Sequence, residues 1–530
     1  MNLNTQFVFD SKLKRNLMIG MAVGALCLAW SAVGDDAFYT RFWTNYLHNA
    51  VFFTGIAFTA MFFLSGQITA FAGWMIVIKR LWEAMSQFML VGIFLLLVVV
   101  IGVWGHLHHL YHWNTPGITD PSSPIYDKII AGKSGFLNPI FFTVGTVGFL
   151  AIWYFWAYKL RQNSLAQDKY ETPSFDYYKR ERKWAASFLP LGGFLSTVFL
   201  WQLIMSIDTH WYSTMFAWYS TISLFLGGLA LFIVLILYLQ SKGYLEYVTR
   251  EHLHDLGKYL FGISIFWTYL WFDQFMLIWY GNIGEETIYF KERMDNYPVL
   301  FWGNLVLNFV VPFFVLMRND TKRKAGTMFF AALLVFLGHW LDFFYMIKPG
   351  ARIAAIEAME HLEGGHHSGL KSDAKDLSAA PEAGEMPRVL AGVSAPVAEQ
   401  GHKGGEQHAQ PKEKAPAGNA ESRAADHEKT SHEENAHAET QDAHAQHTGE
   451  HGEEHGHHEE ASRGFLLGYT LPGFQEIGVL IGFLSLFLFF FFRQLERAPL
   501  LPLRDPFLEE SLHHTTGVYI DGEESEHDHH

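Results

Sequence analysis

The chain has 530 residues, half of them apolar and a sixth aromatic, and a formal net charge of −15. Much of the acid lies in 361–460 and 505–530, neither of which reads as packed core, so the global charge argues only against nucleic acid as a partner. One cysteine, Cys27, excludes an internal disulfide, a cysteine-held iron–sulfur cluster and a C-x-x-C-H haem site; it reads as a small buried hydrophobe.

A membrane span needs about 20 mostly apolar residues. Ten such stretches follow in order, at 17–33, 47–71, 86–105, 138–160, 186–206, 216–240, 257–280, 297–317, 326–347 and 473–492. Lys12, Lys14 and Arg15 precede the first, but no small-residue cleavage site follows it, so it reads as a retained span. The second is expected to break near Gly66 or Gly73. Pro139, Pro190 and Pro298 fall near span starts, where a missing N–H is harmless, while Pro312 predicts a kink in the eighth span.

Basic residues alternate along the chain. They cluster at 12–15, at Lys79 and Arg80, at 159–183, at Lys242 and Arg250, at 318–324 and at 493–504. The intervening loops hold few, with Lys291 and Arg293 outnumbered by acids. The positive-inside rule then places both termini in the cytoplasm. The expected fold is all-α and integral to the membrane, with about ten transmembrane helices forming two four-helix bundles plus two peripheral helices. Its parts are 1–46 (N-terminal segment and first helix), 47–215 (first bundle), 216–350 (second bundle), 351–465 (a loop outside the cytoplasm) and 466–530 (last helix and an acidic, histidine-rich cytoplasmic tail). The loop is rich in His, Glu and Ala and holds 14 of the 28 histidines. Such a composition cannot bury enough surface to order itself, and its irregular spacing predicts weak metal scavenging at most.

The two bundles are suggested by an internal echo. Spans three, five, seven and nine end in VWGHLHHLYHW, SIDTHW, YLWFDQFMLIWY and FLGHWLDFFYMIKP, all on the side opposite the basic loops. Ionisable groups at these depths are costly and so are candidates for function. Asp208 and His210 end span five beside Trp211 and further aromatics. Residues two apart on a helix point about 200° apart, so this pair shares a pocket only if the helix has bent or ended. Histidine and a buried carboxylate are the groups that could accept quinol protons. His106, His109 and His112 fall at i, i+3 and i+6, a helical face whose spacing is compatible with a metal site but which reads first as an aromatic interfacial belt. No facing pair of histidines suggests haem b. Asp273 lies about 10 Å inside span seven and needs a partner or water. His339 and Asp342 share a face of span nine. With Glu285 and Glu286 after span seven, these form a candidate proton relay or, equally, a polar cluster joining helices. Glu83, Gln87 and Glu246 read as interface residues that could extend a proton route.

Five blocks in this order resemble a known family: AGWMIVIKRLWEAMSQFM (72–89), HLHHLYHW with DKIIAGKSGFLNPIFF (127–142), SIDTHWYSTMFAWY (206–219), DQFMLIWYGNIGEET (273–287) and LGHWLDFFYMIKP (337–349). They resemble the NrfD/PsrC-type membrane subunits of quinone oxidoreductases, in particular the second NrfD-like subunit of alternative complex III, a bacterial quinol:cytochrome c oxidoreductase. The resemblance covers most of 1–350 and 463–505 and excludes the histidine-rich loop. It implies a multi-pass protein of the bacterial cytoplasmic membrane. Its partners would be a sister NrfD-like subunit, an iron–sulfur subunit, multihaem and monohaem cytochrome c subunits, lipids and, further, a terminal oxidase. Iron–sulfur clusters and haem c would sit on those partners, with no covalent cofactor or metal and no catalytic residue in this chain alone. The quinone-binding candidates are Asp208, His210, Trp211, His106 and His109. In the family the better-supported quinol pocket belongs to the sister subunit, so the alternatives are a structural, proton-conducting subunit without quinone and, more remotely, a secondary transporter.

Overall fold

A computed structural model of the chain describes residues 5–33, 35–36, 38–169, 173–362 and 466–515, with side chains described to 356 in the ninth helix. The histidine-rich loop expected at 351–465 lies outside them from 363 onward, as does the tail from 516. Ten described helices are long and apolar enough to cross a membrane. They are α1 (Ser11–Ser31), α2 (Thr40–Thr69), α3 (Gly73–Trp104), α4 (Pro139–Gln167), α5 (Phe175–Ile207), α6 (Thr214–Ser241), α7 (Arg250–Gly281), α8 (Pro298–Leu316), α9 (Ala325–Leu362) and α10 (Phe474–Leu495). The protein is an all-α, multi-pass integral membrane protein.

The helix α2 is the axis of the molecule. Apart from Thr54 and Thr59 its residues 50–64 are apolar on every face, and nearly all of the helix is buried, as expected of a helix surrounded by others. It packs against α3, α5, α6, α9 and α10. The helices α6 and α9 form the tightest pair of the second bundle, with α7 and α8 outside them. The helix α1 leans almost wholly on α10. Gly20 and Gly24 of α1 face Ser485 and Gly482 of α10, and Cys27 sits against Gly478. Small residues let the two backbones approach where apolar burial gives no advantage over lipid.

Several helix ends differ from expectation for identifiable reasons. The chain turns at 70–72, where Phe71 takes a left-handed φ of 56°. Ala72 N–H reaches Gln67 O and Phe71 N–H reaches Ile68 O, closing a Schellman motif. The helix α3 then starts thirteen residues before the expected 86, and the "loop" cations Lys79 and Arg80 lie inside it, fully buried. The helix α5 likewise begins at Phe175, capped by Ser174, so Pro190 is interior rather than near the start. The helix α9 runs through Pro349 to Leu362 instead of stopping near 347; the Ala-rich 351–358 favours helix strongly enough to continue past the one missing donor. The kink expected at Pro312 is taken up by a π-helical turn at Val306–Val310. The helix α4 carries a matching π-turn at Val144–Gly148, and both helices open on a proline. These equivalent irregularities support the internal echo.

The residues after α10 fold back under the basic side of the bundle. Leu500 N–H bonds Thr5 O, Asp505 pairs with Lys79, and Ser511 bonds Trp74 and Val77. Asp505 and Ser511 are both buried, so these two residues anchor 505–512 against the core, which corrects its reading as unpacked tail. Beneath it, Lys79 bonds Glu181 at 2.8 Å and Asp505 at 3.0 Å, while Arg80 holds Glu83 at 3.0 Å and pairs with Asp168. Glu83 and Gln87 are therefore parts of a buried polar cluster rather than ordinary interface residues.

Candidate functional site: a buried carboxylate in the second bundle

The polar centre of the second bundle is Asp342, fully buried on α9. Tyr219 of α6 donates to its Oδ1. Ser223, one turn further along α6, donates to Oδ2 at 2.8 Å. Trp267 of α7 donates its indole N–H to Oδ2 at 3.1 Å, and Asn304 of α8 reaches Oδ1 at 3.4 Å. The three other helices of the bundle thus contribute four hydrogen-bond donors, two from α6 and one each from α7 and α8, replacing the water that a carboxylate would otherwise need. His339, one turn back on α9, places Nδ1 2.9 Å from Ser223 Oγ. Since Ser223 spends its proton on Asp342, His339 Nδ1 donates to Ser223, which leaves Nε2 as an acceptor. No described residue bonds that nitrogen. His339 and Asp342, expected to share a face, therefore do so through Ser223.

Other buried polar atoms nearby also lack protein partners: both amide atoms of Asn308 on the α8 π-turn, Asn304 Oδ1 and Tyr345 Oη. Buried polar atoms in such numbers require water. They extend from the middle of the bundle toward the side opposite the basic one. There, Asp208 lies beside Gly350 of α9, eight residues or about 12 Å along the helix from Asp342.

Asp208 is engaged by a residue that the sequence pattern does not single out. Arg293, on the helix Gly284–Asn296 between α7 and α8, donates to Asp208 Oδ2 at 2.9 Å and is fully buried. Its guanidinium stacks on Tyr289 at 3.5 Å, and Trp211 covers the other face of that ring at 3.8 Å. Burial opposes the charge on Arg293, but Asp208 and the surrounding tyrosine hydroxyls hold it protonated. Burial beside this cluster pushes the Tyr289 hydroxyl above its usual range. The only sequence signal for Arg293 is a cation on the side otherwise poor in them.

His210 points elsewhere. The α-helical part of α5 ends at Leu203 and the element closes in a 3-10 turn at Met205–Ile207, and His210 Nε2 meets Asp127 Oδ2 at 2.7 Å in the loop between α3 and α4. Asp127 also caps the short helix Lys128–Lys133. Burial works against its ionised form, but the bonds from His210 and the backbone hold its carboxyl below the usual range. Lys133 closes the arrangement by donating to the carbonyls of Thr209 and His210, each at 2.9 Å; burial lowers its ammonium pKa against the attraction of Asp127 and Glu285. Asp208 and His210 thus serve two different contacts and do not line one slot.

The remaining candidates scatter. The helix α3 stops at Trp104 in a Schellman motif with His106 left-handed at φ 49°, so His106, His109 and His112 share no helical face. His106 is exposed and bonds Asn114; His109 packs on the ring of Phe38. The buried histidine of this loop is instead His108, wedged against Trp43 and Gly102. Burial holds its pKa down to about 4. Glu285 and Glu286 stand in the first turn of the Gly284–Asn296 helix. Asp273 lies on the outward face of α7, away from Asp342, and makes no bond with any described residue. Among the described residues no cluster of His, Cys, Asp and Glu could hold a metal ion.

A second buried network joins α2, α9 and α10. Lys348 donates to Thr44 Oγ1 and Asn45 Oδ1, both at 2.7 Å; Asn45 and Arg41 bond Glu476. It fastens the peripheral α10 to the centre. The chain matches no protein-family model, and no curated protein matches it.

Proposed function

We propose that this chain is a proton-handling membrane subunit of a respiratory quinol:cytochrome c oxidoreductase of the alternative complex III type, seated in a bacterial cytoplasmic membrane with both termini inside. Electrons would pass through iron–sulfur and haem c groups on its partner subunits. The observation that carries the reading is Asp342, a carboxylate held by four donors from three neighbouring helices and linked through Ser223 to a histidine with one free acceptor nitrogen. Such a chain can pass protons by successive transfer along His339, Ser223, Asp342 and Tyr219, with water reaching it through the unpartnered atoms of Asn308, Asn304 and Tyr345. The Arg293–Asp208 pair sits where this route would meet the opposite surface. A quinol pocket between Asp208 and His210 is the weaker reading, because Arg293 and Asp127 hold those residues apart.

The test uses the purified complex in sealed vesicles. Asp342→Asn keeps the shape and an acceptor oxygen for two of the four donors but cannot carry a proton as a carboxylate does. Proton release per quinol oxidised is expected to fall by at least half with quinol affinity unchanged. Unchanged proton release together with weakened quinol affinity would overturn the proton-handling role. Failure of the chain to purify with any haem-bearing partner would overturn the assignment to a respiratory complex.

A further inference from the structure

The outward face of α7 carries one stripe at alternating spacings of four and three: Gly262, Phe266, Tyr269, Asp273, Met276 and Tyr280. All but Asp273 are exposed, Phe266 by 41 % and Tyr280 by 84 %. That spacing is the seam of a left-handed helix pair. At its upper end Trp279 and Tyr280 mark the level of the membrane interface. Asp273 sits seven residues below Tyr280, about 10 Å deeper in the hydrocarbon. It is half-buried and bonded to nothing described, so facing lipid would leave a carboxylate at a cost of a few kcal/mol. At the far end Gly262 has no atom within 4 Å of where a side chain would begin, which leaves room for a second backbone to come close.

We propose that this stripe docks a transmembrane helix of a different membrane polypeptide, which presents a hydrogen-bond donor or cation at the depth of Asp273. The argument is independent of the quinol reading, since it needs only a membrane around α7. Charge selects the occupant. A second copy of this chain, packed about a two-fold axis along the same seam, would set Asp273 against its own equivalent, and two adjacent carboxylates do not both ionise. A lipid tail offers no donor at all.

The test places a photo-crosslinking phenylalanine analogue at Tyr269 or Met276 of the full chain in native membranes, with Phe94, exposed on α3, as a lipid-facing control. The expected result is a crosslink from 269 and 276, absent from 94, to one transmembrane segment of a different polypeptide. Mass spectrometry should place the linked residue within a turn of a Lys, Arg, His, Ser, Thr, Asn, Gln or Tyr side chain. Asp273→Leu should lower the recovered crosslink by about five-fold. Crosslinks only to lipid, or between two copies of this chain, would overturn the proposal. So would Asp273→Leu with an unchanged crosslink. The crosslinks with Asp273 intact stand even if Asp273→Leu fails to fold.

Discussion

Replacing Arg293 by Met removes the charge while keeping most of the stem. The structure fixes what is lost. Arg293 is fully buried and Asp208 retains 14 % side-chain exposure, at an ion-pair distance of 2.9 Å. Removing one partner of a buried pair costs about 3–5 kcal/mol, because the other charge is stranded. The residual exposure of Asp208 puts this case near the lower end, about 3 kcal/mol. The stack of the guanidinium on Tyr289 at 3.5 Å adds about 1 kcal/mol, so Arg293→Met should destabilise the protein by about 4 kcal/mol. Asp208→Asn keeps an acceptor oxygen but leaves a buried cation without a counter-charge, at about 3 kcal/mol. The double variant strands neither charge and should fall short of the sum by about 1–3 kcal/mol. Unfolding in mixed micelles followed by tryptophan fluorescence measures all three, with Trp211, stacked on Tyr289, as a local reporter. Additive single variants, or an Arg293→Met loss under 1 kcal/mol, would refute the coupling described here.

Two further expectations follow from the loops. His108 is held neutral when folded, with a pKa near 4, whereas an unfolded histidine titrates near 6.5. The unfolded chain therefore takes up its proton first as pH falls. Its contribution is complete above pH 6.5 and is lost between about 6.5 and 4, a change of about 3 kcal/mol. His108→Phe should flatten the stability profile across that window, and an unchanged profile would show that His108 does not cause it. Asp505→Asn should loosen the C-terminal strap by about 2 kcal/mol, since Lys79 keeps Glu181 as a partner. Limited proteolysis should then cut 496–515 roughly thirty-fold faster while the spans stay intact; equal rates in both proteins would place the hold of the strap elsewhere.

The sequence by itself determined the class and the crossing pattern. Ten apolar stretches and alternating basic loops suffice for that, because the bilayer demands long helices with internally satisfied backbones. His339 and Asp342 were legible as a pair because a spacing of three on a helix is a spatial fact. What only the tertiary structure decided is which groups meet across helices. Asp208 and His210, two residues apart, go to Arg293 and Asp127, which lie 85 and 83 residues away. Once a helix has ended, local spacing no longer fixes direction. The same holds at His106, where a left-handed residue dissolved a helical face that periodicity implied. Helix starts were misplaced at Lys79, Arg80 and Pro190 because cations buried against acids read as a loop and because the polar, largely exposed first turns of α5 carry no apolar signal. The strap at 505–512 escaped for a related reason: Asp505 and Ser511 are buried through Lys79, Trp74 and Val77 of α3 and His252 of α7, and no window of sequence around them contains those partners.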